Sequence, residues 1–231
     1  MIRKMTVALI ARPLSTSTWL LDSLRSAILA GTLEENTPVR QEELAATYGV
    51  SRMPVREALR SLEAEGWVIH RPNKGVVVAP LDPEDAAEIF DIRAVLEALA
   101  LRRSVPLLDE RQRGDAVAAL AALETAAPDV VLSAHRAFHL SLCAAAGGRL
   151  LRLIGQQLDA AERYLRAEAT LLRVMDEDRY EHRALLERTL ARDARAVVRL
   201  IEKHVAGAGA ELAETLRKRG FSKKSHRKGK P

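Results

Sequence analysis

Four histidines stand out as residues that could bind a metal ion: His135, His139, His182 and His204. The first two are four residues apart, which places both imidazoles on one face of a helix, where they can chelate one divalent ion. The other two recur at helical spacing with Leu, Val and Ile, so we expect all four side chains to point inward. This pattern predicts a metal site. The alternative is that each is a core histidine bonded to a backbone carbonyl.

A second group of residues, all basic, could contact DNA. Arg52 and Arg56 project from one face at the start of a predicted helix, and Arg40 precedes the helix before it. Arginine can donate two hydrogen bonds to guanine in the major groove. Arg71 and Lys74 lie at the tip of a predicted hairpin, where they could contact the minor groove or phosphates. Arginines on a solvated helix are the alternative for Arg52 and Arg56.

The elements that must position these basic residues are three predicted helices followed by a predicted β-hairpin. Gly31, Gly49 and Gly66 end three segments with helical periodicity, and Ser51 is a suitable N-cap for the third. A pair of short β-rich segments around a Pro-Asn-Lys-Gly turn follows. The predicted helices are 16–30, 41–48 and 52–65, and the hairpin strands are 67–71 and 76–79. This order predicts a winged helix-turn-helix.

The rest of the chain predicts an antiparallel helical bundle, so the fold class is mainly α. Six helical segments are expected, with no strand pattern: 83–104, 109–126, 129–146, 149–174, 177–191 and 193–219. We therefore expect three regions, which are a DNA-binding domain over 1–80, a helical effector and metal-binding domain over 81–219, and a disordered basic tail over 220–231.

Composition limits the possible functions. The net charge is +5, but the last fifteen residues hold eight Lys/Arg and no Asp/Glu, so the charge does not by itself indicate nucleic-acid binding. Cys143 is the only cysteine, which excludes an intrachain disulfide and suits the cytoplasm. No run of about 18 apolar residues is present, so no membrane-spanning helix is expected.

The segment 42–66 resembles the GntR family of winged-helix regulators, through the runs Gly49-Val50-Ser51-Arg52 and Pro54-Val55-Arg56-Glu57-Ala58-Leu59. The resemblance implies that Arg40, Arg52 and Arg56 read operator DNA, together with Ser51 and Met53 of the same motif, and that Arg71 and Lys74 assist. One departure is Glu35-Asn36, where the family often has Pro-Gly. Asn tolerates left-handed backbone, so the turn can survive.

Residues 83–215 resemble the FCD domain of the FadR subfamily, through the segment 91–97, Phe138-His139, Glu181-His182 and His204. In many members one Asp and three His bind a divalent metal at the floor of an effector pocket. His135 stands at the Asp position here. A set of nitrogen ligands alone favours zinc, nickel or cobalt over manganese. Arg93 could bind an effector carboxylate or pair with Glu97 one turn later.

The resemblance implies a transcriptional repressor that binds double-stranded operator DNA, and we expect it in the cytoplasm. We also expect a homodimer, because one recognition helix reads only a few base pairs and two-fold symmetric operators pair with two-fold proteins. A small carboxylate bound near the metal would control its affinity for the operator. Two alternatives stay open from the sequence: a DNA-binding protein without a ligand, and a metal-dependent hydrolase. For the hydrolase, Glu181 is a poor general base, because its neighbour His182 points to a different side of the helix.

Overall fold

A computed structural model of the chain describes the backbone of residues 15–167 and 171–221. Within these ranges it describes the side chains of residues 15–166 and 180–221. The chain divides into two compact units, and the boundary in the sequence lies between Pro80 and Leu81. Among the described residues, no helix combines the length and the hydropathy needed to cross a membrane.

Residues 15–80 of the first unit form three helices and a β-hairpin. Gly49 ends the second helix in the left-handed conformation, with φ 63°, and so turns the chain into the third helix. The hairpin is antiparallel, with Val68 opposite Val78 and Arg71 opposite Gly75. The elements are α1 (Thr16–Leu29), α2 (Gln41–Tyr48), α3 (Arg52–Ala64), β1 (Val68–Arg71) and β2 (Gly75–Val78).

The core of this unit explains how α3 is held. Val55, Leu59 and Leu62 of α3 are buried, and they belong to one hydrophobic cluster with Leu20 and Leu24 of α1. The opposite side of α3 therefore remains available to solvent. The predicted winged helix-turn-helix is confirmed.

Two turn residues test the sequence predictions for this unit. Asn36 has φ 59°, the left-handed conformation expected for the loop before α2. Ser51 occupies the N-cap position of α3, but its side chain makes no capping hydrogen bond. The predicted position of Ser51 at the N-cap is therefore correct, but the predicted capping hydrogen bond is absent. The side chain of Ser51 is exposed to solvent.

The second unit contains six helices within the described residues, and the predicted helical bundle is confirmed. The long first and last helices of this unit pack extensively on each other, and the remaining helices complete a single hydrophobic core. The helices are α4 (Pro83–Ser104), α5 (Glu110–Glu124), α6 (Val131–Leu142), α7 (Gly148–Ala167), α8 (Leu171–Leu190) and α9 (Ala194–Lys218).

Two predicted helix boundaries were wrong. Helix α8 begins at Leu171 rather than at residue 177, and α7 ends at Ala167 within the described residues. No Gly or Pro lies in this stretch, so the sequence offered no helix breaker to locate the boundary. Helix α6 ends at Leu142, four residues early. Phe221, near the start of the predicted tail, packs against the helical core, and residues 222–231 of that tail lie outside the described residues.

Candidate functional site

The four histidines converge inside the helical unit. Helix α6 supplies His135 and His139, α8 supplies His182, and α9 supplies His204. Each offers one ring nitrogen, and these four atoms lie within 4.8 Å of one another. All four side chains are buried, with at most 7% of the residue exposed. The geometry brings three helices to one point and fits a single metal ion.

Two carboxylates orient histidines of this cluster. The Nδ1 of His139 lies 2.6 Å from Glu97 Oε2, and the Nδ1 of His204 lies 2.8 Å from Glu181 Oε2. A neutral imidazole that donates Nδ1–H to a carboxylate keeps its lone pair on Nε2. This carboxylate–histidine arrangement is the one that commonly fixes the tautomer of metal-binding histidines.

Two buried ring nitrogens of the histidine cluster have no hydrogen-bond partner among the described residues. They are His139 Nε2 and His182 Nε2. Leaving a buried polar atom without a hydrogen bond costs about 1–3 kcal/mol, so such atoms call for an explanation. A divalent ion at the centre of the cluster would use both lone pairs, so the residues present fit a metal.

The electrostatics of the cluster keep His135, His139 and His182 neutral. Burial, followed by the charges of neighbouring histidines, lowers the pKa of His182 to about 2. Burial also lowers the pKa of His135 and of His139, although the carboxylate of Glu97 opposes the effect at His139. Neutral imidazole is the form that binds a metal, so near neutral pH these rings need not lose a proton to do so.

Arg93 and Glu97 form a buried ion pair beside the histidines. Arg93 Nε donates to Glu97 Oε1 over 3.0 Å, and both side chains are at most 2% exposed. Burial alone would raise the pKa of Glu97, but the charge of Arg93 and the hydrogen bonds with Arg93 and His139 outweigh it and lower the pKa to about 2. Glu97 is therefore ionised, and it links the arginine to a histidine of the cluster.

The Arg93–Glu97 ion pair, one of the two roles that the sequence left open for Arg93, is present. Within the described part of the chain, the terminal Nη groups of Arg93 make no hydrogen bond. The guanidinium lies 4.8 Å from the centre of the Phe90 ring. The ion pair therefore uses only the Nε of Arg93, and the two Nη groups could donate to another partner.

The sequence did not reveal the roles of Glu97 and Glu181 at this site. The sequence offers Glu97 only as a partner of Arg93, and Glu181 only as a poor general base. Their contacts with His139 and His204 join residues 42 and 23 positions apart, so helical spacing alone could not predict them. The one available signal was that both acids lie in the segments that resemble FCD motifs.

The residues predicted to contact DNA lie on the surface of the first unit. Arg52, Met53 and Arg56 are exposed on the side of α3 away from its core. Arg40 and Ser51 are exposed just before α2 and α3. Arg52 contacts Glu42 at 3.2 Å and Arg40 contacts Glu43 at 3.1 Å. These ion pairs are exposed, so they are weak enough to be exchanged for phosphate or base contacts.

The hairpin positions the other two predicted contacts. Lys74 is exposed in the turn between β1 and β2, and Arg71 is half-buried at the end of β1. Asn73 at φ 65° and Gly75 at φ 70° adopt the left-handed conformation that this tight turn requires. The turn therefore presents the lysine at the tip of a wing.

Comparison with known protein families identifies both units. Residues 17–78 match the model of "Bacterial regulatory proteins, gntR family", and residues 88–207 match the FCD domain. The chain belongs to the GntR family. Its two matched regions correspond to the winged helix-turn-helix and to the bundle that holds the histidine cluster, so this GntR protein carries its histidines in an FCD domain.

Individual relatives agree with this assignment. The HTH-type transcriptional repressor GlaR of Escherichia coli K12 is 28% identical over 79% of this chain and 89% of its own length. A probable D-xylose utilization operon transcriptional repressor of Paenarthrobacter nicotinovorans is 30% identical over 80% of this chain and 83% of its own. The GntR protein described here is accordingly a transcriptional regulator and not an enzyme, which removes the hydrolase alternative.

Solved structures show the same fold. A GntR family regulator from Pseudomonas syringae pv. tomato is 36% identical, with a TM-score of 0.54 over 88% of this chain and 87% of that one. McbR/YncC of E. coli is 21% identical, with a TM-score of 0.72 over 88% of this chain and 99% of that one. At this low identity the second likeness concerns the fold alone.

Proposed function

We propose that this GntR regulator is a metal-dependent repressor whose affinity for operator DNA is controlled by a small carboxylate. The observation that carries the proposal is the cluster of four buried histidines with two unpartnered Nε2 atoms. Buried histidines that serve only as packing would each need a hydrogen-bond partner. His139 and His182 lack such a partner at Nε2 within the described residues, and a bound ion would supply one.

The ligand set favours zinc or nickel. His135, His139, His182 and His204 offer nitrogen only, and imidazole suits these ions better than the harder manganese, which prefers oxygen. The metal would supply a positive centre that attracts an anionic oxygen of the effector. The neutral ligands leave the charge of the ion uncompensated in the first coordination shell, and Glu97 is already balanced by Arg93.

Arg93 would provide the second half of the effector site. Its charge acts on His135, His139 and His182, since it contributes to lowering the pKa of each, so it lies close to the cluster. Its Nη groups have no hydrogen bond within the described residues, and a carboxylate can accept two parallel bonds from such an edge. A small organic acid is therefore the ligand class that fits best.

The DNA-binding part of the proposal uses the exposed side of α3. Bases and nearby phosphates would be contacted by Arg52 and Arg56, together with Ser51, Met53 and Arg40. The DNA backbone would be contacted from the wing by Lys74 and Arg71. One recognition helix reads only a few base pairs, so we expect a homodimer on a two-fold symmetric operator. Effector binding would then shift the dimer between arrangements of different operator affinity.

Metal analysis of the purified protein tests the central step. We expect about one zinc or nickel ion per chain, and loss of that ion in both His139→Ala and His182→Ala. His70→Ala is the matched control, since this histidine is exposed on the hairpin of the other unit and its removal should leave the metal content unchanged. Wild-type protein that takes up neither ion from a metal-supplemented buffer would contradict the proposal.

The effector class is tested with matched pairs of acids and amides. Metal-loaded protein is screened by thermal shift with lactate against lactamide and succinate against succinamide. We expect stabilisation by at least one carboxylate, no response to its amide, and a smaller shift in Arg93→Gln. A response confined to the amides would refute the carboxylate assignment while leaving the metal site intact.

A further inference from the structure

The solvent-exposed side of helix α4 carries side chains whose chemistry changes in order along the helix. Acidic residues come first, large apolar residues follow, and basic residues end the helix. At 100° per residue, these positions fall within an arc of about 120° and so form one continuous stripe. The stripe, hereafter the α4 stripe, consists of Glu88, Asp91, Ile92, Val95, Arg102 and Arg103, all exposed.

The centre of the α4 stripe is unusual for a free surface. Val95 is 68% exposed and Ile92 is 40% exposed, on a helix whose other side is buried in the core. Favourable interaction with the helix dipole accounts for Arg102 and Arg103 in the last turn, but its effect does not extend to Glu88 in the second turn. It also gives no reason for a bare valine at mid-helix.

The charged ends of the stripe are unpaired in the described part of the chain. The ion pairs that α4 makes there use Arg93, Glu97 and Glu84. Glu88 and Arg102 have no ion-pair partner in those residues. The stripe thus offers an acidic end and a basic end that do not satisfy each other within one helix, because they are fourteen residues apart.

We propose that the α4 stripe binds the α4 stripe of a second copy of this chain, with the two helices antiparallel and a two-fold axis at Val95. Glu88 lies seven residues before Val95 and Arg102 lies seven residues after it. Each charge is therefore about 10 Å from the axis along the helix. In the antiparallel pair, Glu88 faces Arg102 of the partner subunit, and the two valines meet at the centre.

The order of the charges selects the antiparallel arrangement. A parallel pair would place Glu88 beside the same residue of the other copy, and Arg102 likewise, and both contacts would be repulsive. The antiparallel pair makes two Glu–Arg contacts and buries the apolar centre. This is a self-complementary surface, as an interface with two-fold symmetry requires. The inference rests on the dimeric state in the proposed function and assigns it an interface.

Charge-reversal variants of the full chain test the pairing by sedimentation velocity over a concentration series. Glu88→Arg makes both ends of the stripe basic, and Arg102→Glu makes both ends acidic. We expect each variant alone to dissociate with a constant raised about tenfold or more, because both contacts become repulsive. Mixing the two variants in equal amounts should restore the wild-type constant, since the mixed dimer again has opposite charges at both contacts.

Val95→Glu tests the apolar centre, where it would bring two carboxylates together at the axis. We expect it to convert the dimer to monomer. Val117→Glu is the matched control: this valine is also exposed, at 46%, but lies on α5, and its substitution should leave the dimer intact. The helical circular-dichroism signal and metal content of every sample show whether the variants are folded.

Two results would overturn the inference. A wild-type dimer unaffected by Val95→Glu and by both charge reversals would place the interface elsewhere and leave the dimeric state standing. A wild-type protein that is monomeric throughout the concentration series would remove both the interface and the proposed homodimer. Since the histidine cluster lies inside one chain, the metal content of the same samples judges the metal site independently.

Discussion

Replacing Glu97 by Gln should weaken both the fold and the metal site, because this one carboxylate holds Arg93 and His139 together. Gln keeps the size of the side chain but loses its charge. It can accept a hydrogen bond from only one of the two donors through its single oxygen, and its amide hydrogens then face the other. The guanidinium of Arg93 is left buried without its counter-charge.

The magnitude follows from the burial and ionisation of Glu97. Its pKa is held at about 2 instead of 4.5. With about 1.4 kcal/mol per unit, the ionised form contributes about 3 kcal/mol to the free energy of unfolding at neutral pH. Because the pKa of this carboxylate is lowered on folding, its ionisation contributes fully to the free energy of unfolding above pH 4.5. The contribution disappears as the pH falls towards 2. Removal of one partner from a buried ion pair costs a similar amount, about 3–5 kcal/mol.

Urea unfolding of the metal-free protein at pH 7 measures this loss, and competition with a chelator measures the zinc affinity. We expect Glu97→Gln to lower the free energy of unfolding by about 3 kcal/mol and the zinc affinity by about 10- to 100-fold. Glu181→Gln is the matched control. Glu181 holds His204 in the same way, but its side chain is 41% exposed, so its removal should cost at most about 1 kcal/mol of stability.

The account of the site would be refuted if Glu97→Gln kept wild-type zinc affinity. It would also be refuted if Glu181→Gln proved more destabilising than Glu97→Gln, because the buried and charge-coupled carboxylate should matter more than the half-exposed one.

Three further predictions follow from the structure. His135→Asp should lower the preference for zinc over manganese about tenfold or more in competitive binding, because a carboxylate oxygen favours the harder ion; an unchanged ratio would mean that residue 135 is not a ligand. The metal-free protein should lose stability as the pH falls below 6.5, because three buried histidines stay neutral when folded but take up protons when unfolded. The slope should approach about 4 kcal/mol per pH unit well below 6.5, and urea midpoints that match at pH 7.5 and 5.5 would contradict it. Arg56→Ala should weaken binding to a DNA fragment selected from a random pool by about 1–3 kcal/mol, whereas Arg111→Ala, on an exposed side of α5, should have no effect. If Arg56→Ala and Arg111→Ala lose equal DNA affinity in fluorescence anisotropy titrations, DNA binding depends only on the overall charge of the protein.

The sequence predicted the first unit well because its turns are marked by residue type. Gly49 and Gly66 both adopt positive φ where the helices end, and the hairpin turn is built from Pro, Asn, Lys and Gly. The bundle was harder to divide. Where Pro separates two helices, at α4–α5 and α5–α6, the predicted bounds are close to those observed. The α7–α8 boundary has neither Gly nor Pro and was misplaced, and the end of α6 was misplaced although Gly147 follows it.

The histidines of the site were predictable and their carboxylate partners were not. Helical periodicity alone placed His135 and His139 on one inward face, because residues four apart are neighbours in every helix. The contact of Glu97 with His139 depends on how α4 packs beside α6, and Glu181 reaches His204 across α8 and α9. Such contacts arise from tertiary packing, which local spacing does not encode.

The measurement that tests the central claim most directly is operator affinity as a function of metal and acid together. A DNA fragment selected by the protein from a random pool is titrated with wild type and with His139→Ala, each with and without added zinc and the carboxylate found by thermal shift. We predict that the acid changes the affinity of zinc-loaded wild type at least about fivefold, and changes neither the zinc-free protein nor the variant. An equal response in all four samples, or none in the zinc-loaded wild type, would contradict control of DNA binding through the histidine cluster.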